Sequence, residues 1–126
     1  MLLIIGSVLA GFIAAGIITI GASYFWMLER TAASFGIPGT QLADPAQRAW
    51  VRVKGVRDIV SGLFVVILLA AGSTHLLGWI MLAGALIPVG DASIVRSSHG
   101  PAAAAYGIHA VTAAVMLVIG LLLLLG

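Results

Sequence analysis

The chain contains no cysteine. That excludes a disulfide framework, a thiolate metal site and a cysteine nucleophile. Charge is nearly as scarce: only 8% of the 126 residues are Asp, Glu, Lys or Arg, against ~25% in an average soluble domain. No basic tract with interleaved aromatics is present, so nothing points to nucleic acid as a partner. No Ser-His-Asp order, phosphate-cradling glycine loop or H-E-x-x-H pattern occurs. What is there is apolar. Hydrophobic residues make up 62% of the chain, and mean hydropathy is +1.22. A water-soluble fold this short has too little interior to hide that much apolar surface. Membrane lipid is its natural solvent and first partner.

Four apolar segments follow from the pattern. The first, residues 2–28, has no charge and exceeds the ~20 residues a spanning helix needs. It lacks a basic leader and a cleavage site, so it reads as a retained helix rather than a signal peptide. Ser7, Gly11 and Ala15 form a small-residue stripe suited to close helix packing. Tyr24 and Trp26 sit near its end as interfacial anchors. A polar connection then runs from Glu29 to about Asp44, where Gly36, Pro38 and Gly39 forbid a continuous helix. Asp44, Pro45 and Gln47 read as a helix start with a capping-box-like pattern. The second helix covers about 45–72. The third, about 75–95, contains Pro88, which leaves a carbonyl one turn earlier without its donor. Ser97 to Pro101 form a tight loop, and the fourth helix covers about 102–125.

The expected fold is therefore all-α: a single-domain integral membrane four-helix bundle, residues 1–126, with up-down topology. An even helix count puts both termini on one side. Arg30, Arg48, Arg52, Lys54 and Arg57 lie in or near the first connection, and Arg96 and His99 flank the third. The second connection has only His75. The excess of Lys and Arg places the first and third connections in the cytoplasm and both termini outside. In a bacterium this would be the inner membrane.

Charges inside spanning segments cost roughly 2.5–3.5 kcal/mol each on insertion scales and usually face an interior. Asp58, Asp91 and His109 stand out, on three different helices. Counted at ~1.5 Å per residue, Asp58 and His109 lie roughly 12 Å deep and Asp91 roughly 7–8 Å. All three fall in the same half of the membrane. Small residues one or two turns away would let helices close around them. One reading is a buried pocket, with Asp58, Asp91 and His109 as catalytic acid–base groups and Arg57, Lys54, Tyr106 and Tyr24 as ligand contacts. The other is an ion-pair network that only fixes packing: Arg57 with Asp91, His109 with a carboxylate, or Asp58 with Lys54. Two carboxylates and a histidine could hold a divalent metal, but depth alone sets no ligand geometry, so no metal is assigned. Haem or chlorophyll ligation by His109 competes with the commoner hydrogen-bonded histidine. Trp26, Trp50 and Trp79 read as interface anchors before they read as a ligand cage.

Lys54-Gly55-Val56-Arg57-Asp58, Pro88-Val89-Gly90-Asp91-Ala92 and Gly107-Ile108-His109-Ala110 together resemble the signature of a family of small bacterial and fungal membrane proteins filed as a domain of unknown function. The resemblance covers about residues 6–124. In general outline it is similar to DoxX-like four-helix proteins. The resemblance implies four helices and marks Lys54, Arg57, Asp58, Asp91 and His109; it implies no reaction.

The leading expectation is a buried polar pocket for an apolar small molecule such as an isoprenoid, quinone or polyketide-like molecule; if the protein is an enzyme, proton transfer of the isomerase or cyclase type fits best, with no redox cofactor. A second is an accessory subunit of a larger membrane complex. A third is a proton-coupled carrier acting as a homo-oligomer, although no matched pair of broken helices marks two halves.

Overall fold

A computed structural model describes all residues, Met1–Gly126. The chain is all-helical. It forms α1 (Leu2–Trp26), α2 (Leu28–Phe35), α3 (Pro45–Ala70), α4 (Thr74–Ser97) and α5 (Ala102–Leu125). α1, α4 and α5 are long and apolar enough to cross a membrane. α3 is equally long, but Arg48, Arg52, Lys54, Arg57 and Asp58 all lie between its start and its midpoint turn.

α2 departs from the expected polar connection. Leu28, Thr31, Ala32 and Phe35 recur at helical spacing and put one apolar stripe on a single face. Leu28, Thr31 and Ala32 are buried. The helix ends at Gly36, whose φ of +99° is open to glycine and costly for other residues. A Cβ there would also lie 2.6 Å from that of Ala104. α3 starts as its sequence implies: the Ala46 amide donates to Asp44 Oδ1 at 2.9 Å, with Pro45 in the first turn. Gln47 does not complete the capping box. Its Oε1 accepts from the Gln41 amide instead, at 2.7 Å, and so fastens the preceding loop.

α1 packs on α3 and on α5, and α5 packs on α4. The contact of α3 with α4 is much slighter, although the two are consecutive. The face of α1 that packs is one residue off the expected stripe. Gly6, Ala10, Ala14, Gly21 and Tyr24 are buried, whereas Ala15 is exposed. Two glycine crossings set the helix pairs. A Cβ on Gly55 would stand 2.7 Å from the Gly21 carbonyl, and one on Gly21 would stand 2.6 Å from the Gly55 carbonyl. Gly78 and Gly120 meet in the same way between α4 and α5, at 3.2 and 3.0 Å. Without side chains between them the backbones touch, which suits association where lipid supplies no hydrophobic drive.

One end of the bundle is closed and apolar. Ala10, Ala14, Val65, Leu77, Met81, Ile119 and Leu123 form its core. At the other end two helices bend or widen. α4 breaks at Ala85, one turn before Pro88, because proline offers no amide to the Gly84 carbonyl. α5 opens into a π-helical turn over Ala105–Ala110.

Candidate functional site

The wider end of the bundle encloses a cavity of about 630 Å³. That lies within the range of small-molecule sites. Its walls come from every helix, and their chemistry is divided. Ile13, Ile17, Val65, Met81 and Met116 line one end; Tyr24, Lys54, Asp58, Asp91 and His109 line the other.

α3 supplies Lys54, Asp58 and Ser61 from one face, spaced four and three residues apart. The Gly21–Gly55 crossing draws that face against α1 and Tyr24. Lys54 Nζ donates to Asp58 Oδ2 at 2.8 Å. Its ammonium lies 4.9 Å from the Phe35 ring centroid and 5.7 Å from that of Tyr24, which adds cation–π attraction. The ion pair therefore replaces water on two sides with aromatic faces.

α5 supplies His109 from within its π-helical turn. Such a turn inserts an extra residue into the helical repeat and re-aims a side chain, a device common at functional sites. His109 Nε2 lies 2.9 Å from the Phe35 carbonyl oxygen. A carbonyl only accepts, so Nε2 carries the proton. The Phe35 ring also packs on the imidazole, with centroids 4.5 Å apart and planes tilted by 57°. Nδ1 then points towards Asp91 Oδ2, 4.0 Å away. That separation is too long for a direct hydrogen bond. One polar atom can sit between the two and touch both. Asp91 itself comes from the second half of α4, after the Pro88 break, and keeps about a quarter of its side chain accessible (24%).

Asp58, Asp91, His109, Lys54 and Tyr24 thus all line one cavity. Two expected contacts do not. Arg57 is exposed on the outer face of α3: adjacent residues of a helix point ~100° apart, so when Asp58 faces in, Arg57 faces out. Of the alternative pairings, Arg57 with Asp91 is accordingly absent, while Lys54 pairs with Asp58 and His109 stands beside Asp91. Tyr106 is 59% exposed, with the Arg96 guanidinium 6.0 Å from its ring. Phe35, Thr31 and Ser34 of α2 were not anticipated, yet all three line the cavity. The 28-31-32-35 stripe was the available signal.

The three short motifs of the sequence meet here. Lys54, Asp58, Pro88, Asp91, Ile108 and His109 all border the cavity. The profile of one protein family matches residues 14–123, nearly the whole chain. The chain belongs to the domain of unknown function DUF4267. That family carries no assigned reaction, so the site must be read from its own geometry. Comparison with curated proteins and with solved structures returned no match. The likeness to DoxX-like membrane proteins therefore gains no support from them.

Proposed function

We propose that this chain is a four-helix membrane protein whose cavity binds a lipid-soluble small molecule, with Asp91 and His109 as the groups that exchange protons with it. α3 serves as the fourth span. Trp26 lies five residues after Gly21, and Trp50 five before Gly55. In antiparallel helices crossing at those glycines the two tryptophans stand at one height. Both are 70% exposed, as an interfacial belt requires. From Trp50 to Ala70 α3 rises roughly 30 Å, the thickness of a hydrocarbon core. Its charges within that span are accommodated in two ways: Lys54 and Asp58 face the cavity, and exposed Arg52 and Arg57 are near enough to the interface to snorkel. The lysine and arginine distribution favours the polar end on the cytoplasmic side, with both termini opposite.

The observation that carries the functional reading is the division of one cavity into an apolar end and an ionisable end. The Nε2–H bond to Phe35 leaves Nδ1 as the working nitrogen of His109. Asp91 and Nδ1 then flank the ligand's polar head as an acid–base pair that can reach its oxygen and the neighbouring carbon. Such a pair supports a tautomerisation. An enol O–H proton passes to Nδ1, the O–H electron pair becomes the new C=O bond, and the C=C pair takes a proton from Asp91 to form C–H. The pair holds one proton before and after, and no redox cofactor is required.

Native mass spectrometry of the gently solubilised, untagged protein tests this. The expected spectrum shows a retained small apolar adduct that is lost in Asp91→Asn and His109→Ala. A protein free of adducts and bound stoichiometrically to another polypeptide would overturn the reading in favour of an assembly subunit.

A further inference from the structure

Hydrogen-bond donors are depleted around this cavity. Of the hydroxyls on its lining, four give their protons to backbone carbonyls of their own helices. Ser23 donates to Ile20 at 2.6 Å, Ser34 to Thr31 at 2.8 Å, Ser61 to Arg57 at 2.8 Å and Thr112 to Ile108 at 2.7 Å. The Ser23 proton being committed, Thr31 donates to Ser23 Oγ at 2.8 Å. What these groups still offer is lone pairs. His109 commits its Nε2 proton to Phe35. Between Nδ1 and Asp91, at least one remains an acceptor in every state of the pair. Lys54 is held on Asp58 and beneath two aromatic rings. The Tyr24 hydroxyl is the remaining neutral donor, and Arg30, exposed at the cavity's edge, a charged one.

The cavity is also open sideways. Phe64 on α3 and Ile80 and Ile87 on α4 line it, yet they are 58%, 42% and 52% exposed. α3 and α4 are the consecutive pair with slight contact. Their shared turn at Gly72 sets Phe64 opposite Ile80, eight residues to either side. The gap between them lies at the level of the lipid chains in the proposed orientation.

Resting on the pocket reading above, we infer that the ligand is a single-tailed amphiphile with a neutral hydroxyl head, of the alcohol, phenol or enol class, taken sideways from the bilayer between α3 and α4. The head supplies a neutral donor to the acceptors of Asp91 and His109 and places its oxygen between them. The tail lies along the apolar wall and leaves through the gap. A cationic head fits the acceptors less well, because Lys54 and Arg30 also line the cavity.

The test uses the whole protein in phosphatidylcholine nanodiscs with three probes: 4-dodecylphenol, its methyl ether 4-dodecylanisole, and dodecylamine. Ligand retained after gel filtration is measured by mass spectrometry. The phenol is expected to be retained at least ten-fold better than the ether, which keeps the tail and loses the donor. The double variant Asp91→Leu/His109→Leu, with its helicity checked, removes the acceptors and is expected to erase that preference. Equal retention of phenol and ether, or stronger retention of the amine, overturns the inference and leaves the pocket standing. Retention of none of the three, with no adduct in the native spectrum, overturns both.

Discussion

The two ends of the bundle are built from the same four long helices, with α2 added at the open one, and solve opposite problems. At the closed end, side chains fill the space between the helices: Leu77 and Ile119 are fully buried, and Gly78 meets Gly120 backbone to backbone. At the open end, the Pro88 break and the π-helical turn move backbone aside, and the ionisable groups face the space that results. The polar end is thus not a poorly packed version of the apolar end. Its helices are held apart by defined backbone features, while the Gly21–Gly55 crossing keeps α1 and α3 together beside it. Stability is expected to reside at the closed end and ligand chemistry at the open end.

That division can be broken by substitution. The largest loss is expected from Leu77→Ala, which empties a fully buried position; such changes cost about 2–5 kcal/mol. Thermal denaturation in detergent measures it, with ligand binding per folded molecule unchanged. Next comes Gly55→Ala. Its Cβ would press on the Gly21 carbonyl, and overpacking of this kind costs about 1–3 kcal/mol. Because the crossing also positions Lys54 and Asp58, this variant is expected to lose binding as well, which Leu77→Ala does not.

Smaller effects sharpen the contrast. Asp58→Asn leaves Lys54 without its carboxylate. The pair is half-buried, so the loss should fall between that of exposed and fully buried pairs, about 1–2 kcal/mol. The rescuing double variant Lys54→Met/Asp58→Asn should recover most of it in the same melts. Phe64→Ala at the lateral gap is expected to change stability by less than about 0.5 kcal/mol. It should instead speed ligand exchange with the bilayer, measured by release of a deuterated probe. An equally large melting shift for Phe64→Ala and Leu77→Ala would dissolve the distinction between the two ends.

Much of the fold is legible in local chemistry. Asp44 and Pro45 mark the start of α3, Pro88 marks the break in α4, and the Ser97–Pro101 loop ends one helix and admits the next. Depth arithmetic brings Asp58, Asp91 and His109 to one level because rise per residue is nearly constant. Depth says nothing of rotation about the helix axis. That is why Arg57 and Tyr106 were expected inside and stand outside, and why the packing stripe of α1 is displaced by one residue. The contribution of Phe35 rests partly on its backbone carbonyl, which no side-chain pattern reveals. Its position on α2 is masked by Glu29, Arg30 and the glycines and proline that follow, although Leu28, Thr31, Ala32 and Phe35 keep helical spacing. The π-helical turn at Ala105–Ala110 has no marker in its sequence, Ala-Tyr-Gly-Ile-His-Ala.

The central claim is that His109 of α5 is held between the Phe35 carbonyl of α2 and the Asp91 carboxylate of α4. Nitrogen-15 NMR of histidine-labelled protein in bilayers tests it most directly. The chain has three histidines, and His109→Gln identifies the resonances of interest. The account predicts a hydrogen-bonded Nε2–H, and an Nδ1 resonance that shifts in Asp91→Asn while the His75 and His99 signals stay in place. A His109 that samples both tautomers, with an Nδ1 resonance indifferent to Asp91→Asn, would contradict it.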